Sequence, residues 1–128
     1  MTLHFVIPIA PVTKKNSQRI VKLGKRYAIM PSKQYKAYEK AAMLFIPQDY
    51  RNITAPVTVQ AVFYMRERRR VDLTNLLEAL DDVLVHAGLL ADDHCKIIVS
   101  HDGSRVAYDK DHPRTEVTVR SYKGALPW

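Results

Sequence analysis

The most regular pattern in the chain lies between Val57 and Met65. Val57, Val59, Ala61, Phe63 and Met65 fall on one side, and Thr58, Gln60, Val62 and Tyr64 on the other. Alternation with a period of two predicts a strand with one face against a core. The period then changes. From Asp72 to Ala87 the apolar residues Leu73, Leu76, Leu77, Leu80, Val83, Leu84 and Ala87 collect on one side of a wheel that advances about 100° per residue. This predicts an amphipathic helix, with Gly88 as its C′ stop.

Weaker patterns supply the remaining elements. Leu3 to Ile9 reads as a first strand, followed by a polar loop from Pro11 to Ser17. Arg19 to Leu23 and Arg26 to Met30 flank Gly24-Lys25, a two-residue turn that predicts a hairpin. Ser32 is placed to cap a helix carrying Tyr35, Tyr38, Ala42 and Phe45 at helical spacing, with Pro47 marking its end. Lys96 to Ser100, Arg105 to Tyr108 and Thr115 to Tyr122 are further strands, the first two joined by a turn at Asp102-Gly103. The tail from Gly124 reads as irregular. Strands and helices do not alternate regularly enough for a doubly wound sheet. The expectation is an α+β fold, a small mixed or antiparallel sheet with two helices packed on it, in a single domain spanning residues 1–128.

Length and composition agree with one core: 128 residues, 47% of them hydrophobic. The formal charge of +7 favours a polyanionic partner, but its distribution says more. Residues 1–40 hold nine Lys or Arg and one acid, whereas residues 71–111 hold nine acids and three Lys or Arg. Cys95 is the sole cysteine, which rules out an internal disulfide and suggests a reducing cytoplasm. The first residues lack a basic leader and no apolar run is long enough for a membrane span, so neither export nor membrane insertion is expected.

The acidic stretch carries the candidate chemistry. Asp72, Asn75, Glu78 and Asp82 lie within an arc of about 120° opposite the leucines. Asp92-Asp93 follows the helix. Mg²⁺ takes oxygen ligands, one or two carboxylates plus waters and substrate phosphate, so Asp72 and Asp93 would suffice if they converge. The simpler readings are that Asp72 caps its helix by accepting from the Asn75 amide, and that Asp92-Asp93 is an exposed turn. Arg66, Arg68, Arg69 and Arg70 end the preceding strand, where alternation would turn two of them toward a phosphate backbone. Tyr27, Tyr35, Tyr38 and Tyr64 are candidates for base stacking, although the spacing of Tyr35 and Tyr38 suits a core. His94 reads as a loop residue and Cys95 as a small buried group at a strand start.

These residues also carry a resemblance. Arg69-Arg70-Val71-Asp72-Leu73-Thr74-Asn75-Leu76, Glu78-Ala79-Leu80-Asp81-Asp82-Val83-Leu84, Ala87-Gly88-Leu89 and Asp92-Asp93 together resemble the RusA family of Holliday-junction resolvases, with support from the loop Pro11 to Asn16. The resemblance implies a bacterial or phage-encoded homodimeric endonuclease that uses Mg²⁺, or Mn²⁺, to nick opposed strands of a four-way DNA junction in recombination and repair. It implies that Asp72 and Asp93 are catalytic metal ligands. Two positions depart from the family: Thr74 stands where a further carboxylate is usual, and Glu78 where a lysine is. Glu78, Asp82 or Asp92 would then restore the missing charge, and Lys14, Lys15 or Arg69 would replace the lysine. Lys14, Lys15, Asn16, Arg19, Arg66, Arg68, Arg69 and Arg70 are the expected DNA contacts. The rival reading, favoured by the same two departures, is a module that binds branched DNA without cutting it. A third is a basic protein-interaction domain whose acids are caps and turns.

Overall fold

The computed structural model describes residues 1–14 and 18–126, apart from the side chains of Gln18, Arg19 and Pro31. In chain order the elements are β1 (Thr2–Ile7), β2 (Gln18–Leu23), β3 (Arg26–Pro31), α1 (Lys33–Met43), β4 (Val57–Met65), α2 (Leu73–His86), β5 (Ile98–Ser100), β6 (Arg105–Tyr108) and β7 (Arg114–Ser121). The expected α+β fold is present, and its sheet is mixed. β1 pairs antiparallel with β7, β7 antiparallel with β4, and β4 parallel with both β5 and β6. β2 and β3 form a separate two-stranded hairpin.

β4 behaves as its alternation predicts: Val57, Val59 and Ala61 are 0% exposed and Phe63 1%. Register carries the same face across the sheet. Val59 lies opposite Val119 and Ala61 opposite Val117, which in turn face Leu3 and Phe5 of β1. Onto this face α2 brings Leu76, Ala79, Leu80, Val83 and Leu84, and α1 brings Tyr35, Tyr38 and Ala42, in one continuous core. Tyr35 and Tyr38 are therefore core residues. Burial pushes the Tyr38 hydroxyl up to about 12.

Ser32 caps α1 as expected, its hydroxyl accepting from the Tyr35 amide at 3.1 Å. The far end differs. The amides of Leu44 and Phe45 bond to the carbonyls of Ala41 and Ala42, three residues back, which tightens the last turn ahead of Pro47. Phe45 thus leaves the apolar stripe and is 44% exposed, while Ile46 takes the inward place at 3%.

The expected turn at Asp102-Gly103 joins β5 and β6, the Ser104 amide bonding to the His101 carbonyl at 3.1 Å, but the two strands do not pair with each other. Both run along the same edge of β4 in the same direction, β5 beside Val57 and Thr58 and β6 beside Val62 to Met65. Between them Ser104 Oγ accepts from the Ala61 amide at 3.0 Å, filling the gap in the ladder with a side chain.

α2 stops in a Schellman arrangement. The Gly88 amide bonds to the Val85 carbonyl at 3.0 Å and the Leu89 amide to that of Leu84 at 3.0 Å. Gly88 has φ +83°, a conformation that costs other residues about 1–2 kcal/mol. The chain then bridges Leu90 to Ile53 in parallel, which anchors the approach to Asp92-Asp93. Among the described residues no helix is long and apolar enough to cross a membrane. Gly88→Ala is expected to lower stability by about 1–2 kcal/mol in urea denaturation. An unchanged midpoint would mean that this stop does not constrain the fold.

Candidate functional site

Asp72 occupies the N-cap position of α2, but its side chain makes no capping bond to the backbone. The amides of Asn75 and Leu76 bond instead to the Asp72 main-chain carbonyl, at 3.1 and 3.2 Å. Among the described residues the carboxylate takes only the Asn75 side-chain amide, Nδ2 to Oδ2 at 3.3 Å, and it is exposed. Capping through the Asn75 backbone amide is therefore not what this residue does. Its charge stands at the positive end of a helix, open to solvent.

Beside it the arginines lie in a loop and not on a strand: β4 ends at Met65, and Arg66, Arg68, Arg69 and Arg70 are all exposed. Alternation therefore does not sort them. Arg68 stacks on Tyr108, guanidinium carbon 4.1 Å from the ring centroid, and Arg69 lies 3.7 Å from Glu67. Arg66, Arg69 and Arg70 line an open cleft of about 390 Å³, faced across from Ala10 to Thr13 of the N-terminal loop. Two stretches that are distant in sequence, the proline loop and the arginine loop, thus meet next to the start of α2. Lys15 and Asn16, and the side chain of Arg19, fall outside the described residues.

At the other end, Asp92 Oδ1 accepts from the Asp93 amide at 2.7 Å, a local loop bond, and both residues are exposed. Asp93 lies close enough to α2 for its charge to act on Asp81. Thr74 and Glu78 are exposed on α2. Asp82 is differently placed, in a 2.5 Å ion pair with Lys14. The Asp82 hydrogen bond raises the Lys14 pKa; burial opposes it, and the charges of Asp82, Glu78 and Glu39 add to it. Among the described residues no three of His, Cys, Asp and Glu gather closely enough to hold a metal ion. Asp72 and Asp93 are exposed carboxylates with hard oxygen donors of the kind Mg²⁺ takes, whereas Asp82 is already neutralised by an ammonium. His94 is a loop residue, its Nδ1 accepting from the Lys96 amide at 3.2 Å. Cys95 is not buried: it lies in the turn before β5 as an exposed free thiol, because the strand starts only at Ile98.

One pair had no signal in the sequence. His101 Nδ1 lies 2.9 Å from the Val59 carbonyl and Nε2 2.9 Å from Asp81 Oδ2. A carbonyl accepts only, so Nδ1 carries a proton, and a second proton on Nε2 completes the bond to the carboxylate. Burial works against the charged ring but is outweighed by Asp81 and the Val59 carbonyl, so the His101 pKa is raised. Asp81 is raised by burial first, with Asp93 and Asp82 adding to it and His101 opposing. Among the described residues its Oδ1 is buried without a partner. Both groups bind protons more tightly in the folded chain. The His101 contribution is therefore fully present below the ordinary histidine value of 6.5 and is lost as pH rises through the elevated folded value. His101→Gln is expected to cost about 1.5–3 kcal/mol at pH 6, the range for a charge-assisted bond, and less at pH 9. Urea titrations at both values check this; a penalty that grows with pH would contradict the charged pair.

The family model described as Endodeoxyribonuclease RusA matches residues 8–120. No match was found among curated proteins. The matched span takes in the proline loop and the arginine loop, which line the cleft, as well as all of α2 and Asp92-Asp93. The chain belongs to the RusA endodeoxyribonuclease family.

Proposed function

We propose that the protein is a divalent-metal-dependent endonuclease that resolves four-way DNA junctions by paired nicks, acting as a homodimer in the bacterial or phage-infected cytoplasm. The observation that carries this reading is the Asp72 carboxylate, left without a backbone cap beside a cleft lined by three arginines. A capping aspartate would serve the helix; an uncapped and exposed one, next in sequence to the arginine loop, suits a metal and a scissile phosphate.

In this reading Arg66, Arg69 and Arg70 hold the DNA backbone across the cleft, and guanidinium forks fix a phosphate in orientation as well as in charge. The positive end of α2 points toward the same place and adds backbone amides. Asp72 and Asp93 hold the ion, with Asp92 next to it in the chain and Glu78 on the exposed side of α2. Held by these carboxylates, Mg²⁺ or Mn²⁺ would lower the pKa of an attacking water and offset charge on the phosphate. Lys14, pinned by Asp82 and sensed by Glu78, keeps an ammonium against the helix face where Glu78 has removed one. Cleavage of two opposed strands requires two such sites, hence a symmetric dimer. The exposed Cys95 thiol is compatible with a reducing compartment.

The test is cleavage of a synthetic four-way junction. Asp72→Asn and Asp93→Asn are each expected to reduce the rate at least about 100-fold while leaving binding within about threefold, because each removes an anionic ligand and leaves the cations in place. EDTA should abolish cutting, and Mg²⁺ or Mn²⁺ restore it. Binding without cleavage by the unaltered protein in either ion would reduce the function to recognition of branched DNA.

A further inference from the structure

The β2–β3 hairpin is unlike the rest of the fold. It is hydrogen-bonded to no strand of the main sheet, and neither of its strands has more than marginal contact with another helix or strand. Its register sets Ile20 opposite Ile29 and Lys22 opposite Tyr27, so these four side chains share one face. That face is turned to solvent, with Ile20 74%, Ile29 68% and Tyr27 70% exposed. On the opposite face Val21, Ala28 and Met30 are partly covered. Around the tip Lys22, Lys25 and Arg26 are exposed, and among the described residues none of them has an acidic partner. The segment from Gln18 to Pro31 contains no Asp or Glu at all.

We propose that this hairpin is a second DNA-gripping element, a ribbon that places Lys22, Lys25 and Arg26 on phosphates and lays Ile20, Tyr27 and Ile29 against base faces left unstacked at the branch point. The inference rests on branched DNA being the substrate, as proposed above, and adds the surface that recognises the branch. Charge selects the occupant. A ribbon with several unpaired cations and no acid complements a polyanion, whereas a second copy docked on the same face would set like charges against each other. The apolar face selects the form of DNA. A two-stranded ribbon fits the major groove of a continuous duplex, about 12 Å wide, but exposed isoleucines and a tyrosine gain most where bases are not already stacked on one another.

Fluorescence anisotropy of the whole chain tests this, in EDTA, with an immobile four-way junction and a linear duplex of the same sequences. The triple substitution Lys22→Ala, Lys25→Ala, Arg26→Ala is expected to weaken junction binding about 10- to 100-fold and to lower the slope of log K against log salt by about two to three. The pair Ile20→Ser, Tyr27→Ser is expected to weaken junction binding about tenfold and leave duplex binding unchanged. Lys22→Arg, Lys25→Arg, Arg26→Lys keeps the charge and should keep the affinity, which separates lost contact from lost folding. Variants that bind the junction with unaltered affinity and salt slope, or whose sole change is dissociation of a dimer in sedimentation, overturn the proposal. Failure of the unaltered protein to bind any DNA would overturn the proposed function along with it, whereas normal binding that ignores the hairpin overturns the hairpin alone.

Discussion

Burial of the leucine face of α2 against the inner face of β4 decides where the charged groups of this protein can go. Leu76, Leu80 and Leu84 are each no more than 1% exposed. Once they are seated, the helix cannot rotate without lifting leucines into water, at about 25 cal/mol for each Å² uncovered. Asp72, Thr74 and Glu78 are then left to solvent, Asp81 is pressed toward His101, and Asp82 toward the N-terminal loop. The acidic residues of α2 are thus sorted by a purely apolar constraint into two that are neutralised by cations and two that remain open.

That sorting gives the basic and acidic parts of the chain different roles. Lys14 and His101 arrive from distant parts of the sequence and quench the inward acids of α2, whereas Asp72, Glu78, Asp92 and Asp93 form no ion pair among the described residues. Tyr35 donates to Glu39 Oε2 at 2.9 Å while His86 Nδ1 lies 2.9 Å from Oε1, which occupies the acid of α1 in the same way. Among the described residues the arginines of residues 66–70 meet only Glu67 and Tyr108, and their charge stays available at the cleft.

Much of this was legible in the chain. β4 and α2 declared themselves by period, Gly88 by its position after the last leucine, and Ser32 by its place ahead of a helical stripe. What stayed hidden depends on contacts between distant residues. The direction of β5 and β6 along β4 leaves no mark on the local pattern, because a parallel and an antiparallel neighbour bury the same alternate positions. The Lys14–Asp82 and His101–Asp81 pairs join residues that no spacing rule connects. Asp72 looked like a cap by sequence, and its rotamer turns the carboxylate away from the amides it was expected to serve.

The pairing of β1 with β7 has a consequence for how the molecule is made. Thr2–Ile7 lies against Arg114–Ser121, and β7 is also the strand that covers β4 on its antiparallel side. On a ribosome the first strand has no hydrogen-bonding neighbour until residues 114–121 have been made, and β4 has none until β5 follows it. The leucines of α2 are made before β5, β6 and β7, so they emerge beside a β4 that still lacks all of its neighbours, and the growing chain passes through a stage of unpaired edges and uncovered leucines.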